Sequence, residues 1–237
     1  MSLLSQVTDI LYPRRCPVCD DVVAGPGLLV CEDCKDCFTP IEDPYCMKCG
    51  KPMQDETVLL CGECMKRPHE FTRGRAAFVY DDVLKESVYR FKYGNRPEYA
   101  KMYASAMAER LDTYAKSVKA DALVPIPLHK SRLRERGYNQ AELLADRLSE
   151  HLGIPVRKDI LARVGKTRVQ KSLGASQREN NLKKAFKIAS DVVKLNNIIL
   201  VDDIFTTGST MDAAAACLKE AGVAEVYFLV LGMADIG

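Results

Sequence analysis

Asp202 and Asp203 end a continuous apolar run, Ile198-Ile199-Leu200-Val201, and a small polar loop follows them, Thr206-Thr207-Gly208-Ser209-Thr210. Adjacent carboxylates can accept hydrogen bonds from neighbouring sugar hydroxyls or hold a hydrated Mg²⁺. The loop offers hydroxyls and unpaired backbone N–H groups, which are the donors a phosphate needs, and Gly208 permits the tight turn and the close approach. Phosphate at one end and diol at the other outline a ribose 5-phosphate. An ordinary Ser/Thr helix cap after a buried strand is the plainer alternative.

Such a site requires a strand, a loop and a helix in succession. The run at 197–205 is apolar until its two acids, 211–221 is Ala-rich with Gly222 as a stop, and 226–231 is apolar again. That order of strand, loop, helix and strand is typical of a buried parallel sheet. A decoy stands nearby, because Gly165-Lys166-Thr167 looks like the end of an ATPase phosphate loop. The pattern needs a Gly five positions earlier, where this chain has Ile160, so the ATPase reading is rejected.

Nine of the ten cysteines fall between positions 16 and 64, and eight of them form four Cys-x-x-Cys pairs: Cys16/Cys19, Cys31/Cys34, Cys46/Cys49 and Cys61/Cys64. The second two pairs repeat the first two with an offset of 30 residues. Two-residue spacing aims both sulfurs of a turn at one ion, and two such knuckles close a thiolate cage around Zn²⁺ at ~2.3 Å. Disulfides are the alternative, but nothing signals secretion and a reducing cytosol disfavours them. Few large apolar residues lie within 16–64, so the metal would be a structural staple. Sequential ligation, with the first four cysteines on one ion and the last four on another, follows most simply from the repeat. Interleaved pairing is the other arrangement. Cys37 is spare, and Cys217 reads as a small buried hydrophobe.

The composition of the whole 237-residue chain bounds the answer further. It is 47% hydrophobic and 28% charged, with a mean hydropathy of −0.14, which fits a soluble globular protein of one large or two ordinary domains. No apolar stretch approaches the ~20 residues of a membrane span. Residues 1–11 read as a short amphipathic helix without a signal-peptide pattern, and the chain as cytoplasmic. The net +2 hides an uneven distribution: residues 129–187 hold 15 of the 34 Lys and Arg, for a local charge of +9. That concentration favours a polyanionic partner, either a phosphorylated small molecule or a nucleic acid backbone. Aromatic residues between 80 and 103 alternate with cations; they read first as a helix face with a wet rim, and second as a stacking surface for bases.

Residues 198–210 resemble the thirteen-residue signature of type I phosphoribosyltransferases, which bind 5-phosphoribosyl-1-pyrophosphate (PRPP). Joined to four Cys-x-x-Cys pairs, to Pro125-Ile126-Pro127-Leu128 and to Arg136-Gly137-Tyr138-Asn139-Gln140, the chain resembles the ComF (competence protein F) family. The resemblance implies an α/β fold: a type I phosphoribosyltransferase parallel sheet flanked by helices over 74–237, with a small N-terminal zinc-ribbon module and helix over 1–73.

It also implies roles. Asp202 and Asp203 would be the catalytic acids, and Thr206, Thr207, Gly208, Ser209 and Thr210 the phosphate loop. The stretch Ile126, Pro127, Leu128, His129 and Lys130 matches the loop that holds pyrophosphate. Arg132, Arg134 and Arg136 follow at two-residue spacing. They would converge if extended and fan out if helical, with the helix proper expected near Asn139. A mobile loop closing over the reaction would hold Arg163, Lys166, Arg168 and Lys171. The chemistry would be displacement at the ribose anomeric carbon, with Mg²⁺ neutralising the departing pyrophosphate. Two functions follow from the resemblance: a Mg²⁺-dependent phosphoribosyl transferase with an unidentified acceptor, or a DNA-uptake factor of natural transformation. The second would bind single-stranded DNA and work with other DNA-uptake proteins, its PRPP or ribose 5-phosphate pocket serving as a sensor or as a vestige.

Overall fold

The computed structural model describes residues 13–25, 27–164, 185–192 and 194–234. The helix expected over 1–11, and Lys166, Arg168 and Lys171 of the expected mobile loop, lie outside the described residues.

Four strands form one parallel sheet: β1 (Arg73–Val79), β2 (Ala122–Pro125), β5 (Asn197–Phe205) and β6 (Glu225–Met233). Their order is β1-β6-β5-β2, with Ala122 opposite Ile198 and Asn197 opposite Glu225. A two-stranded antiparallel ribbon of β3 (Leu161–Arg163) and β4 (Phe186–Ile188) stands beside it. Continuous apolar runs in β5 and β6 suit strands covered on both faces. Ile199, Val201, Leu229 and Leu231 face one core, and Ile198, Leu200, Val226, Phe228 and Val230 the other.

The first face is covered by α2 (Asp82–Tyr93), α3 (Tyr99–Val118) and α5 (Gln140–Leu152). Leu144 and Leu148 of α5 are fully buried, as their spacing demands, and Gly153 closes the helix in a left-handed turn. The second face is covered by α6 (Ser209–Glu220), whose alanines let it sit close to the sheet, and by the β3–β4 ribbon. Cys217 is partly buried against this core.

Residues Lys130–Arg136 form a short helix, α4, so of the two arrangements open to Arg132, Arg134 and Arg136 they take the fanned one, and the longer helix α5 starts after Asn139 as expected. His129 caps its start by accepting from the Ser131 N–H, and Gly137 ends it at φ 81°.

The cysteine segment builds the same hairpin twice. Cys16 N–H donates to Asp21 O and Cys46 N–H to Lys51 O, both at 2.8 Å, while Asp20 and Gly50 occupy the equivalent left-handed positions. The two ribbons pack on opposite faces. Val18, Leu29, Val30 and Phe38 join the core under α2 and α3, whereas Cys46, Cys49, Met53 and Leu60 join the core under α6. The chain between them runs along β1, with Ile41 N–H donating to Ala77 O and Val79 N–H to Thr39 O. That contact covers a sheet edge that would otherwise present unpaired backbone groups.

Candidate functional site

β5 delivers the two acids to the carboxyl end of the sheet, and the chain turns through 206–208 into α6. Gly208 is the N-cap of α6, with φ 77°. A Cβ there would lie 2.9 Å from the Phe205 ring and 3.1 Å from His69 Cε1, so the position excludes other residues sterically as well as conformationally. Thr207 Oγ1 and Ser209 Oγ are 2.9 Å apart and both edge the turn. Residues Asp202, Ile204 and 205–211 line one small cavity of about 30 Å³. Asp202 and the phosphate loop therefore face the same space, and helix-terminal N–H groups border it.

The two acids differ. Asp203 is buried and ion-paired, its Oδ1 lying 2.8 Å from Lys92 Nζ on α2. Asp202 Oδ1 accepts the Asp203 backbone N–H at 2.8 Å. Burial, and then the neighbouring Asp203 carboxylate, push Asp202 up to about 7. Burial works against the Lys92 charge, but Asp203 and Asp202 outweigh it and the ammonium is held more firmly than usual.

The expected pyrophosphate loop leaves β2 beside these acids. Ile126 is buried, its N–H donates to Val201 O at 2.9 Å, and its carbonyl accepts from Asn139 Nδ2 at 3.0 Å. Pro127, Leu128 and His129 form the turn, and Lys130 is already the first residue of α4. The Arg136-to-Gln140 run braces this turn. Arg136 donates to Gln140 Oε1 and to the Tyr93 hydroxyl, both at 2.9 Å, and Tyr138 hydroxyl donates to Phe91 O at the end of α2. Arg163, the described member of the expected mobile loop, ends β3 with its guanidinium over Phe186. Burial and the Arg132 charge push Arg163 down while Asp202 supports it, so Arg163 lies in the field of Asp202.

Sequence reasoning missed Lys92, which it counted only among scattered cations, and the pair His69–Asp212. His69 Nδ1 lies 2.9 Å from Asp212 Oδ2 in the first turns of α6, across 143 residues of chain. No local pattern marks either contact.

The eight paired cysteines gather sequentially into two clusters, Cys16, Cys19, Cys31 and Cys34, and Cys46, Cys49, Cys61 and Cys64, each with its sulfurs within 4.8 Å of one another. This settles the ligand grouping in favour of the sequential arrangement. Cys19 and Cys31 sulfurs are 3.8 Å apart, as are those of Cys49 and Cys61. A tetrahedron with Zn–S bonds of ~2.3 Å has edges of about 3.8 Å, whereas a disulfide needs ~2.05 Å. The clusters fit two structural zinc ions. Cys46 Sγ also accepts the Cys61 N–H, and the hydrogen bond from Cys49, against burial, lowers Cys46 to about 4. Burial and neighbouring thiols push Cys31, Cys34 and Cys64 up to about 12, so a cluster holding four thiolates needs the cation. Among the described residues no helix is long and apolar enough to cross a membrane.

Two domain profiles agree with this architecture. The double zinc ribbon domain profile matches residues 7–65, and the phosphoribosyl transferase domain profile matches residues 97–233. Competence protein F of Haemophilus influenzae is 34% identical over 169 residues, covering 69% of this chain and 73% of the relative. Competence protein ComFC of Bacillus subtilis is 36% identical over 157 residues, 64% of this chain and 60% of the relative. Among solved structures, a purine phosphoribosyltransferase from Pyrococcus horikoshii aligns at 21% identity and a TM-score of 0.34, over 56% of this chain and 70% of that one. With both domain profiles matched in this order, and the parallel sheet and two four-cysteine clusters in place, the chain belongs to the ComF family.

Proposed function

We propose that the chain binds PRPP or ribose 5-phosphate at the carboxyl end of β2 and β5 and, with Mg²⁺, transfers the phosphoribosyl group to an acceptor. The observation that carries this reading is the shared cavity of Asp202 and the turn 206–210 at the N-terminus of α6. In it the 5-phosphate takes the N–H groups and hydroxyls of the turn, the acids take the ribose hydroxyls, and 126–130 takes the pyrophosphate. Mg²⁺ would supply charge neutralisation of the leaving pyrophosphate, and Asp202 and Asp203 are the residues that would hold it through its waters. The chain's own part is positioning and electrostatic stabilisation; it needs no strong base.

The test is calorimetric titration of PRPP with and without Mg²⁺, on the wild type and on Thr207→Asp. A carboxylate in this turn suits the helix N-terminus, by about 0.3–1 kcal/mol, so the variant should fold. It should nonetheless lose the ligand, because the added charge occupies and repels the phosphate position. PRPP affinity equal to wild type would reduce the turn to a helix cap. Gly208→Val is the poorer choice, since its side chain would meet Phe205 and His69 before any ligand.

A second reading, a cytoplasmic DNA-uptake factor that contacts single-stranded DNA, is favoured by one observation. Tyr89 and Tyr93 on α2 are exposed with ring centroids 5.1 Å apart, and the Arg136 guanidinium lies 4.8 Å from the Tyr93 ring. Other aromatics of the stretch, Phe91, Tyr99 and Tyr103, are buried core. Relatives named competence proteins and DNA utilization protein YhgH give this reading its context.

A further inference from the structure

Asp212 is an awkward residue for an anion site. It lies one turn into α6, its N–H donating to Gly208 O at 2.8 Å, so its carboxylate sits near the helix end that would receive a phosphate. A free carboxylate there competes with the ligand for the positive end of the helix and repels a dianion. The structure draws it away. His69 Nδ1 lies 2.9 and 3.2 Å from its two oxygens, the Glu70 N–H donates to it at 3.0 Å, and Arg67 lies 3.9 Å from it. An ionised carboxylate can only accept, so Nδ1 carries the proton in this bond.

His69 is itself tightly held. Its side chain is 6% exposed, it stacks on Phe71 with centroids 4.6 Å apart, and its Cε1 borders Gly208. Phe71 in turn meets Phe205, the last residue of β5, edge-on. The segment 67–70 directly follows the short helix α1 (Gly62–Lys66), which carries Cys64 of the second cysteine cluster. The Arg67 N–H still donates to Glu63 O in that helix. A path of five residues thus runs from the second zinc ribbon to the underside of the phosphate turn.

We propose that His69 is a positioning residue of the phosphate turn and that, through its bond to Asp212 and its contact with Gly208, the second zinc ribbon sets the affinity of that turn for a phosphate monoester. This rests on the phosphoribosyl reading of the site. The physical claim is that the second ribbon is a brace for one ligand subsite: zinc fixes α1, α1 fixes His69, and His69 both withdraws the Asp212 charge and supports the turn at Gly208.

The experiment uses the full-length, zinc-replete protein, with ribose 5-phosphate as the probe, and measures affinity, zinc content and thermal unfolding together. His69→Ala should weaken ribose 5-phosphate about tenfold while retaining two zinc ions per chain. His69→Asn, whose amide N–H stands where Nδ1–H stood, should recover most of that loss. Thr72→Val breaks a polar contact to Glu225 and Val226 on the same segment but away from the turn, and should lower stability without lowering affinity. Cys61→Ser with Cys64→Ser should leave one zinc ion per chain and weaken the sugar phosphate at least as much as His69→Ala does. Wild-type affinity in His69→Ala, an equal loss in Thr72→Val, or no rescue by asparagine overturns the proposal alone. Failure of the wild type to bind ribose 5-phosphate overturns both this proposal and the phosphoribosyl reading beneath it.

Discussion

Lys92 Nζ on α2 and Asp203 Oδ1 on β5 are 2.8 Å apart, with the lysine side chain 20% exposed and the aspartate 9%. The pair partly offsets the Asp203 charge beside Asp202 and ties α2 to the stretch of β5 that carries the candidate site. It also makes α2 part of the site: the helix that carries Lys92 inward carries Tyr89 and Tyr93 outward.

Removing one partner of a pair this buried leaves an uncompensated charge, which costs about 3–5 kcal/mol. Lys92→Met should destabilise the protein by that order. Lys92→Met combined with Asp203→Asn should recover most of the stability, because no lone charge remains, yet PRPP binding should stay lost. Denaturant unfolding of the three variants gives the cycle. Additive losses would mean that the two groups do not interact in solution.

The raised Asp202 carboxyl gives stability a defined pH dependence. Its folded value of about 7 exceeds the model-peptide carboxylate value, so the folded state favours the protonated acid. This contribution is fully present below about pH 4 and is lost as pH rises through 7. Asp202→Asn removes the cost of ionising a partly buried acid beside Asp203, so its melting temperature should exceed that of wild type at pH 8 and match it near pH 4. A variant less stable than wild type at pH 8 would show that the carboxylate is stabilised in the fold. Stability gained at the expense of ligand binding is the usual mark of a functional acid.

Zinc content separates the ribbons. Elemental analysis should give two zinc ions per chain for wild type and one for Cys16→Ser with Cys31→Ser, since both sulfurs belong to the same cluster. Interleaved ligation would disturb both ions in that variant. Chelation should also loosen the main core, because Cys46 and Cys49 are packed within it.

The zinc clusters and the β5-turn-α6 unit are legible in the sequence because each is local. Cysteine spacing, an apolar run and a Gly-centred polar turn carry their geometry within a few residues. The contacts that complete the site are long-range: Lys92 sits in an amphipathic helix like any rim lysine, and His69 finds Asp212 across 143 residues. The arginines at 132, 134 and 136 are undecided by their spacing for another reason. A spacing of two is compatible with an extended segment and with a helix, and the cap at His129 and the stop at Gly137 make the chain between them helical. The placing of the two ribbons on opposite faces of the sheet has no signature in an internal repeat, because repeated halves look alike wherever they pack.

The exposed aromatic pair separates nucleic acid binding by stacking from binding by charge alone. Stacking on an aromatic ring is worth about 1–3 kcal/mol per base and releases no counterions, whereas each neutralised phosphate of a single strand adds about −0.7 to the log-log salt slope. Tyr89→Ala with Tyr93→Ala should therefore weaken a short oligothymidine by at least about tenfold at every salt concentration and leave the slope unchanged. Arg132→Ala with Arg134→Ala, both exposed on α4, should do the reverse, flattening the slope with little loss at high salt. Arg136→Ala should show both effects, since its guanidinium covers Tyr93 and bonds its hydroxyl. Because α2 bears both Lys92 and the tyrosines, saturating PRPP should alter oligonucleotide affinity if the strand lies on this rim. An oligonucleotide that ignores both the tyrosine variant and PRPP must bind elsewhere, and one that fails to bind even at low salt removes the direct DNA-binding reading and leaves the phosphoribosyl site as the chain's function.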